Sequence, residues 1–309
     1  MIFNSSLRRS KTKRKKALSF KPTDNENKDI NFHNSEEYKD DPFTNGKKEK
    51  IVFMKEEEKE GYCVNKYDNG DSYFGYYAND LRNYHGFYSY IPIDVNDYKL
   101  YRYYLGFWRD DLRHGNGIYL WAKEKKNQKF FENFDNSNFR CFVGLFNSDN
   151  LDNGTYLSKE GDDYLVYHGT FSDNSKKNGK NCFYYSSNLE NLLYGTFQDD
   201  KFVEGYIARF NNEGEVEDIK KYNNNQAENM EKNNENSRIK ELMATFRDCI
   251  LSEDYFGIIF EVFANILKFK DNYVFNIDAI NTYKHEDFLE ICKSYKKITI
   301  YNDIEKYVK

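Results

Sequence analysis

One glycine spacing recurs five times between residues 61 and 214 and constrains the fold of this chain more than any other feature. Each unit has a first glycine with an aromatic residue two positions after it and an aromatic residue, or Leu193 in the last unit, two positions before it. These first glycines are Gly75, Gly106, Gly144, Gly169 and Gly195. A second glycine follows 10 or 11 residues later in every unit, at Gly86, Gly117, Gly154, Gly179 and Gly205. Because residues two apart in a strand share a face, each unit predicts a strand that carries ring, glycine and ring on one side.

A polar stretch separates the two glycines of each unit, as in residues 79–84 and 109–113. This stretch predicts a turn, after which the second glycine begins a return strand. A glycine weakens a strand unless something covers its bare backbone, and rings from neighbouring strands can provide that cover. A single hairpin is marginal in water, but hairpins in series bury a continuous row of rings. The sequence therefore predicts a mainly β fold, an elongated single-sheet array of antiparallel β-hairpins, followed by a small α-helical C-terminal region.

Two stretches make a family resemblance specific. Residues 104–119 read Tyr-Leu-Gly-Phe-Trp-Arg-Asp-Asp-Leu-Arg-His-Gly-Asn-Gly-Ile-Tyr, and residues 67–77 read Tyr-Asp-Asn-Gly-Asp-Ser-Tyr-Phe-Gly-Tyr-Tyr. They resemble MORN (membrane occupation and recognition nexus) repeats, whose pattern is Tyr-Glu-Gly-Glu-Trp, a short polar loop, and His-Gly-x-Gly-x-Tyr. The later units depart from it, with Asn181 and Ile207 where the family has an aromatic residue. The resemblance spans residues 61–214 and implies about five hairpin repeats and a scaffold associated with membrane skeletons, cilia or cell-division structures.

Composition divides the rest of the chain into three segments. Residues 1–59 are polar and charged, and we predict disorder because they bury too little apolar surface to offset chain entropy. The Asn-rich stretch 215–236 is predicted to be a linker. Residues 237–309 are predicted to be helical. Ile239 begins one apolar stripe with helical spacing, which continues through Leu242, Met243, Phe246 and Ile250. A second stripe falls within residues 255–266, after Ser252, which can cap a helix.

The first three units also carry apolar residues directly beside the first glycine, where the family has charged ones. These residues are Phe74, Tyr76, Leu105, Phe107, Val143 and Leu145. Alternation points them to the opposite side of the sheet, so these hairpins are predicted to have two apolar faces. An apolar face of that size requires a cover. The C-terminal helices are one candidate, and a partner or a second copy of the chain is the alternative.

The sequence shows no pattern of catalytic or metal-binding residues. The five histidines lack metal-ligand spacing, and neither a phosphate-binding loop nor a nucleophile elbow occurs. The pairs Asp110–Asp111 and Asp199–Asp200 lie in predicted turns, where carboxylates hydrogen-bond to backbone amides. An odd number of dispersed cysteines favours a reducing compartment. We therefore predict a protein that is not an enzyme and has no cofactor and no metal.

Charge and hydropathy bear on partners and location. A net charge of −5 argues against nucleic acid as a partner. No stretch approaches the ~20 apolar residues that span a bilayer, Met1 to Ser10 lacks a signal-peptide core, and Ile2 excludes N-myristoylation. One basic run stands apart: Arg8, Arg9, Lys11, Lys13, Arg14, Lys15 and Lys16. This run is a candidate for attracting anionic lipid, but nuclear import and a solvated tail together are the favoured interpretation.

The resulting hypothesis is a cytoplasmic scaffold that binds an extended or helical peptide of a protein partner, at a membrane skeleton or the cytoskeleton. Interface energy concentrates in aromatic residues. The predicted anchors are therefore Tyr77, Trp108, Phe146, Phe171 and Phe197. The alternative interpretation is that these rings only fill the core between hairpins. A peripheral membrane protein that binds lipid through the basic run and a regulator of an enzyme are the competing functions, and self-association stays open.

Overall fold

The structure, a computed structural model, describes residues 60–250 except 126–137, 162, 173–174, 189–190, 212, 224–225 and 231–233. The predicted mainly β fold is confirmed. The elements are β1 Gly61–Lys66, β2 Ser72–Ala78, β3 Leu81–Ser89, β4 Ile93–Val95, β5 Tyr98–Arg109, β6 Leu112–Lys125, β7 Asn138–Asn147, β8 Asn150–Glu160, β9 Asp163–Ser172, β10 Lys176–Lys177, β11 Gly179–Ser186, β12 Asn191–Gln198, β13 Lys201–Phe210, β14 Val216–Asn223, β15 Gln226–Asn229 and α1 Asn234–Ile250. The predicted tail 1–59 and the predicted helices beyond Ile250 lie outside the described residues.

All the strands join one open antiparallel sheet, in which spatial order follows chain order. The path runs β1-β2-β3-β5-β6-β7-β8-β9-β11-β12-β13-β14-β15, while β4 pairs beside β5 and β10 beside β9. Each strand therefore pairs mainly with the strands before and after it in sequence. This is the topology that consecutive hairpins generate when no crossover connects them.

Seven of the ten repeat glycines line up across the sheet in a single row, whereas Gly179 lies opposite Phe197 and Cys182 takes the place opposite Gly195. Their cross-strand pairs join β2, β3, β5, β6, β7, β8 and β9, and the glycines in that row are Gly75, Gly86, Gly106, Gly117, Gly144, Gly154 and Gly169. Gly195 faces Gly205 in the same way between β12 and β13. A groove without side chains thus runs across the strands, and rings lie in it.

The polar stretch of four hairpins forms a two-residue turn in which both residues have positive φ. These turns are Asn79–Asp80, Asp110–Asp111, Ser148–Asp149 and Asp199–Asp200. Positive φ at both central positions is the type I′ geometry, whose twist matches that of the flanking strands. Aspartate and asparagine tolerate the left-handed region better than most residues, which explains the composition of the stretch.

The sheet continues beyond residue 214, where the sequence predicted a linker. β14 pairs with β13, and β15 pairs with β14. Val216 and Ile219 are buried on β14 and extend the apolar cluster that includes Phe210. Composition alone did not reveal β14, because only two of its residues are apolar and buried. Those two residues suffice to stabilise it, since β13 supplies its backbone hydrogen bonds.

Both faces of the sheet are apolar, as the alternation predicts. We call the side that carries the glycines and their rings the ring face, and the opposite side the second face. On the second face Phe74, Leu105 and Val143, which directly precede first glycines, are exposed by only 1%, 1% and 0%. They belong to a cluster that runs from β2 to β14.

Helix α1 covers part of the second face. Met243 and Phe246 are buried, and the Phe246 ring stacks on Phe183 of β11 with 3.9 Å between centroids and 6° between planes. The Arg247 guanidinium lies 4.9 Å from the centroid of the Phe210 ring. The predicted helical stripe therefore packs on the chain's own sheet.

We expect Gly106→Ala to destabilise the fold by about 2 kcal/mol or more, because overpacked sites cost typically 1–3 kcal/mol. A Cβ atom at Gly106 would lie 2.5 Å from the Cα atom of Gly117 and 2.5 Å from the Tyr104 hydroxyl. Backbone atoms on the facing strand cannot move aside as a flexible side chain would. Urea unfolding followed by circular dichroism measures the change.

The matched control is Gly161→Asn, since Gly161 has open space around its Cα and a positive φ that asparagine tolerates. That variant should stay within ~0.5 kcal/mol of the parent. Equal stability of the two variants would contradict the crowding argument.

Candidate functional site

The rings that flank the first glycines form one continuous edge-to-face stack across the hairpins. We call this stack the ring row, and in spatial order it contains Tyr77, Tyr73, Trp108, Tyr104, Phe146, Phe142, Phe171, Tyr167 and Phe197. Neighbouring centroids are 4.9–5.5 Å apart and neighbouring planes meet at 77–89°. Each ring that precedes a glycine therefore contacts the ring of its own unit and the ring of the next unit. Such pairs contribute ~0.5–1.5 kcal/mol each beyond the burial of their area.

The ring row contains all five predicted anchors and buries most of them. Tyr77, Trp108, Phe146 and Phe197 are exposed by 1–3%, and Phe171 is half-buried. The structure thus places these rings in the core between hairpins, the arrangement that the alternative interpretation describes. A partner would reach the four buried rings only by opening the stack.

Arginine side chains lie over the ring row. The Arg82 guanidinium carbon is 4.3 Å from the Trp108 ring centroid and 5.2 Å from that of Tyr88. Arg113 takes the same place one hairpin later, 5.1 Å from the centroid of Tyr119. A guanidinium over a ring face is attracted by the negative charge of the π system, and its planar shape also shields the rings from water.

The same arginines tie each hairpin to the turn of the next, through what we call the inter-hairpin clamp. Arg82 Nε donates to Asp111 Oδ1 at 2.8 Å, its backbone N–H donates to the same oxygen at 2.9 Å, and its Nη2 donates to the Asp111 carbonyl at 2.9 Å. The Asp111 N–H donates back to the Arg82 carbonyl at 3.0 Å. Arg113 and Asp149 repeat the whole pattern, with 2.7 Å between Nε and Oδ1.

The clamp changes along the array. Lys177 and Asp200 form a weaker version, in which the Lys177 N–H and Nζ donate to one carboxylate oxygen at 3.0 and 3.1 Å. Leu151 holds the corresponding position in β8, two residues after the Ser148–Asp149 turn, and packs into the ring-face core instead. The clamp is therefore complete between the first three hairpins and absent at Leu151.

Burial and the clamp both act on the ionisation of these groups. Burial by itself lowers the pKa of Arg113, but electrostatic interactions with Tyr90 and Asp149 outweigh it and raise that pKa above its ordinary value. Burial, followed by the hydrogen bond to Asp71, raises the pKa of Tyr88. The Tyr88 hydroxyl donates to Asp71 Oδ2 at 2.8 Å. Arg113 therefore stays charged and Tyr88 stays neutral across the physiological range.

Partly exposed aromatic residues border the ring row on the same face. We call them the aromatic belt, and its members are Tyr90, Trp121, Tyr156, Tyr184 and Phe202. Trp121 lies 4.0 Å from the Tyr119 ring centroid, and Phe202 lies 5.2 Å from that of Phe197. The belt was not predicted from the sequence. The signal was present, because Tyr90 and Trp121 lie four residues after the second glycines Gly86 and Gly117 and hence on the same face.

Potentially reactive side chains are used in packing. His168 shares a 3.0 Å hydrogen bond with Thr155 Oγ1, and His85 packs on the Phe107 ring. Cys141 is buried on the second face, and burial raises the pKa of its thiol. Cys182 is buried on the ring face. Within the described residues no group of three or more His, Cys, Asp or Glu side chains is placed to hold a metal ion.

Two findings concern membranes and known proteins. Among the residues that the structure describes, no helix has the length and apolar character needed to cross a bilayer. The predicted lipid-binding or import run, from Arg8 to Lys16, lies outside those residues. A scan against models of protein families finds no match, and a search of curated proteins finds none either.

We expect Asp149→Ala to destabilise the fold by about 3 kcal/mol or more, because it leaves the Arg113 charge without its carboxylate. The Arg113 side chain is only 11% exposed, and breaking a buried pair costs typically 3–5 kcal/mol. Chemical denaturation of the purified full chain gives the value.

Asp199→Ala provides the comparison. Its Lys176 partner is 45% exposed, so that ion pair contributes little. Both aspartates have positive φ, so alanine adds a similar backbone cost of ~1–2 kcal/mol at each position. If the two variants lost the same stability, the clamp would have no special role.

Proposed function

We propose that this protein is a non-enzymatic scaffold that binds a protein partner through its aromatic-lined hairpin sheet, at a membrane skeleton or cytoskeletal structure. The observation that carries the proposal is the aromatic belt, a run of partly exposed rings mounted on a sheet whose interior is fully packed. The resemblance of residues 61–214 to MORN repeats supports the same class of function and is the basis for the proposed location.

The aromatic belt has the character of a binding surface. Aromatic side chains supply much of the energy of protein interfaces because they bury a large area at a low cost in side-chain entropy. Trp121 packs against Tyr119, and Phe202 packs against Phe197 and Tyr222. Rings held in place by neighbours are already ordered before a partner arrives, which lowers the entropic cost of binding.

The rest of the sheet supports the belt mechanically. The edge-to-face stack and the inter-hairpin clamp connect successive hairpins, so the belt residues that follow β3 and lie on β6 and β8 keep fixed spacings. A partner segment laid across the strands would meet Tyr90, Trp121 and Tyr156 in turn. An extended or helical peptide fits such a row, as in other modes of peptide recognition.

We expect the double variant Trp121→Ala and Tyr156→Ala to weaken partner binding by ~30-fold or more, since a hot-spot truncation costs at least ~2 kcal/mol. Proximity labelling with the intact chain identifies the partner in cells. Titration of that purified partner against parent and variant then measures the affinity.

The control is Leu112→Ala with Val203→Ala, which removes exposed apolar groups that belong to neither apolar cluster of the ring face. Its affinity should match that of the parent. An unchanged affinity in the Trp121 and Tyr156 variant, with circular dichroism identical to the parent, would exclude the aromatic belt as the binding surface.

A further inference from the structure

The second face is buried far beyond the reach of helix α1. Side chains on β3, β6 and β8 illustrate this, because Phe87, Ile118 and Leu157 are exposed by 0%, 1% and 0%. On the ring face, large rings that lie in the glycine groove and the arginines over them exclude water without a further layer. The short side chains of Cys141, Val143 and Leu157 on the second face have only strand neighbours beside them, so their burial to 0–1% exposure requires a layer on top of that face.

Helix α1 supplies this layer only toward the C-terminal end of the sheet. Its contacts lie on β9 and on β11 to β14, and they include the stack of Phe246 on Phe183, the 6.4 Å approach of the Phe246 and His168 ring centroids, and the position of Arg247 over Phe210. The described part of α1 ends at Ile250, four residues after Phe246, so the chain that follows continues from a helix already packed on the second face.

We propose that residues 251–309 cover the second face of strands β2, β3, β5, β6, β7 and β8. This segment contains 309 − 250 = 59 residues and continues directly from α1. Six strand spacings of ~4.8 Å separate β9 from β2, a distance of about 29 Å. A helix of ~20 residues spans 30 Å, so the segment is long enough to cross the whole face.

The chemistry of the segment fits the face. A helical pattern with period 3.6 places apolar residues on one side at Ile258, Ile259, Val262, Phe263 and Ile266. The second face offers aliphatic and aromatic partners such as Leu105, Ile118 and Val143. The other long segment outside the described residues, 1–59, is mostly polar and charged and lacks a comparable stripe, and the stretch 126–137 is too short to cross the face.

The cover has a consequence for binding. With residues 251–309 on the second face and the ring row closed, the aromatic belt becomes the surface that a partner meets. The proposal itself does not depend on that partner, because it concerns a contact within one chain.

Photo-crosslinking of the full chain tests the proposal. A benzophenone amino acid replaces Phe87 on the second face, and a matched variant carries it at Phe202 in the aromatic belt. We expect the Phe87 position to cross-link within one chain to peptides from residues 251–309, and the Phe202 position to give no such product. Cross-links from Phe87 to residues 1–59, or to a second copy in a dimer band, would overturn the proposal.

Thiol labelling supplies an independent measurement in the full chain with Cys63, Cys249 and Cys292 replaced by serine. Cys141 reports on the second face and Cys182 on the ring face, and both thiols are buried. The variant Ile259→Gln with Val262→Gln should raise the labelling rate of Cys141 at least tenfold and leave Cys182 unchanged. The control Glu261→Gln with Asn265→Gln alters the polar side of the stripe and should change neither rate. Continued protection of Cys141 in the first variant would refute the assignment.

Discussion

The close approach of rings to bare glycine backbone is the contact on which the rest of this structure depends. Glycines face one another across the strands, and Tyr73, Tyr104 and Phe142 lie over them where any Cβ atom would collide. This approach brings each ring within edge-to-face distance of the ring in the next unit. The hairpins are therefore linked by side-chain packing as well as by backbone hydrogen bonds, and a row of marginal two-stranded units becomes one sheet.

The fold could be predicted because its signals are local and repeated. The glycine spacing predicted the strands, and the polar stretches predicted turns such as Asp110–Asp111. The two-residue alternation anticipated that Phe74 and Leu105 would be buried on a second face. The extension into β14 was missed because a strand with only two buried apolar residues depends on its neighbour, and that dependence cannot be seen in composition.

The candidate site was harder to predict than the fold. Trp108 and Phe146 have the residue type of interface anchors, but their burial results from contacts between units that are more than 30 residues apart. The pairing of Arg113 with Asp149 likewise spans two hairpins, and the sequence showed only an arginine two residues after a turn. Long-range contacts of this kind decide which rings remain accessible, so the sequence can place Trp121 on the ring face but cannot show that its ring stays accessible.

The inter-hairpin clamp gives the array a direction. The second hairpin presents Asp111 to its predecessor and Arg113 to its successor, whereas the first contributes only Arg82 and the third only Asp149, so the units are not interchangeable modules. Exchanging the third hairpin with the second would set Leu151 against an aspartate and leave an arginine without an acceptor. These complementary arginine–aspartate pairs therefore determine the order of the units. Duplication of a hairpin within this chain would succeed most readily beside Leu151, where no arginine has to be matched.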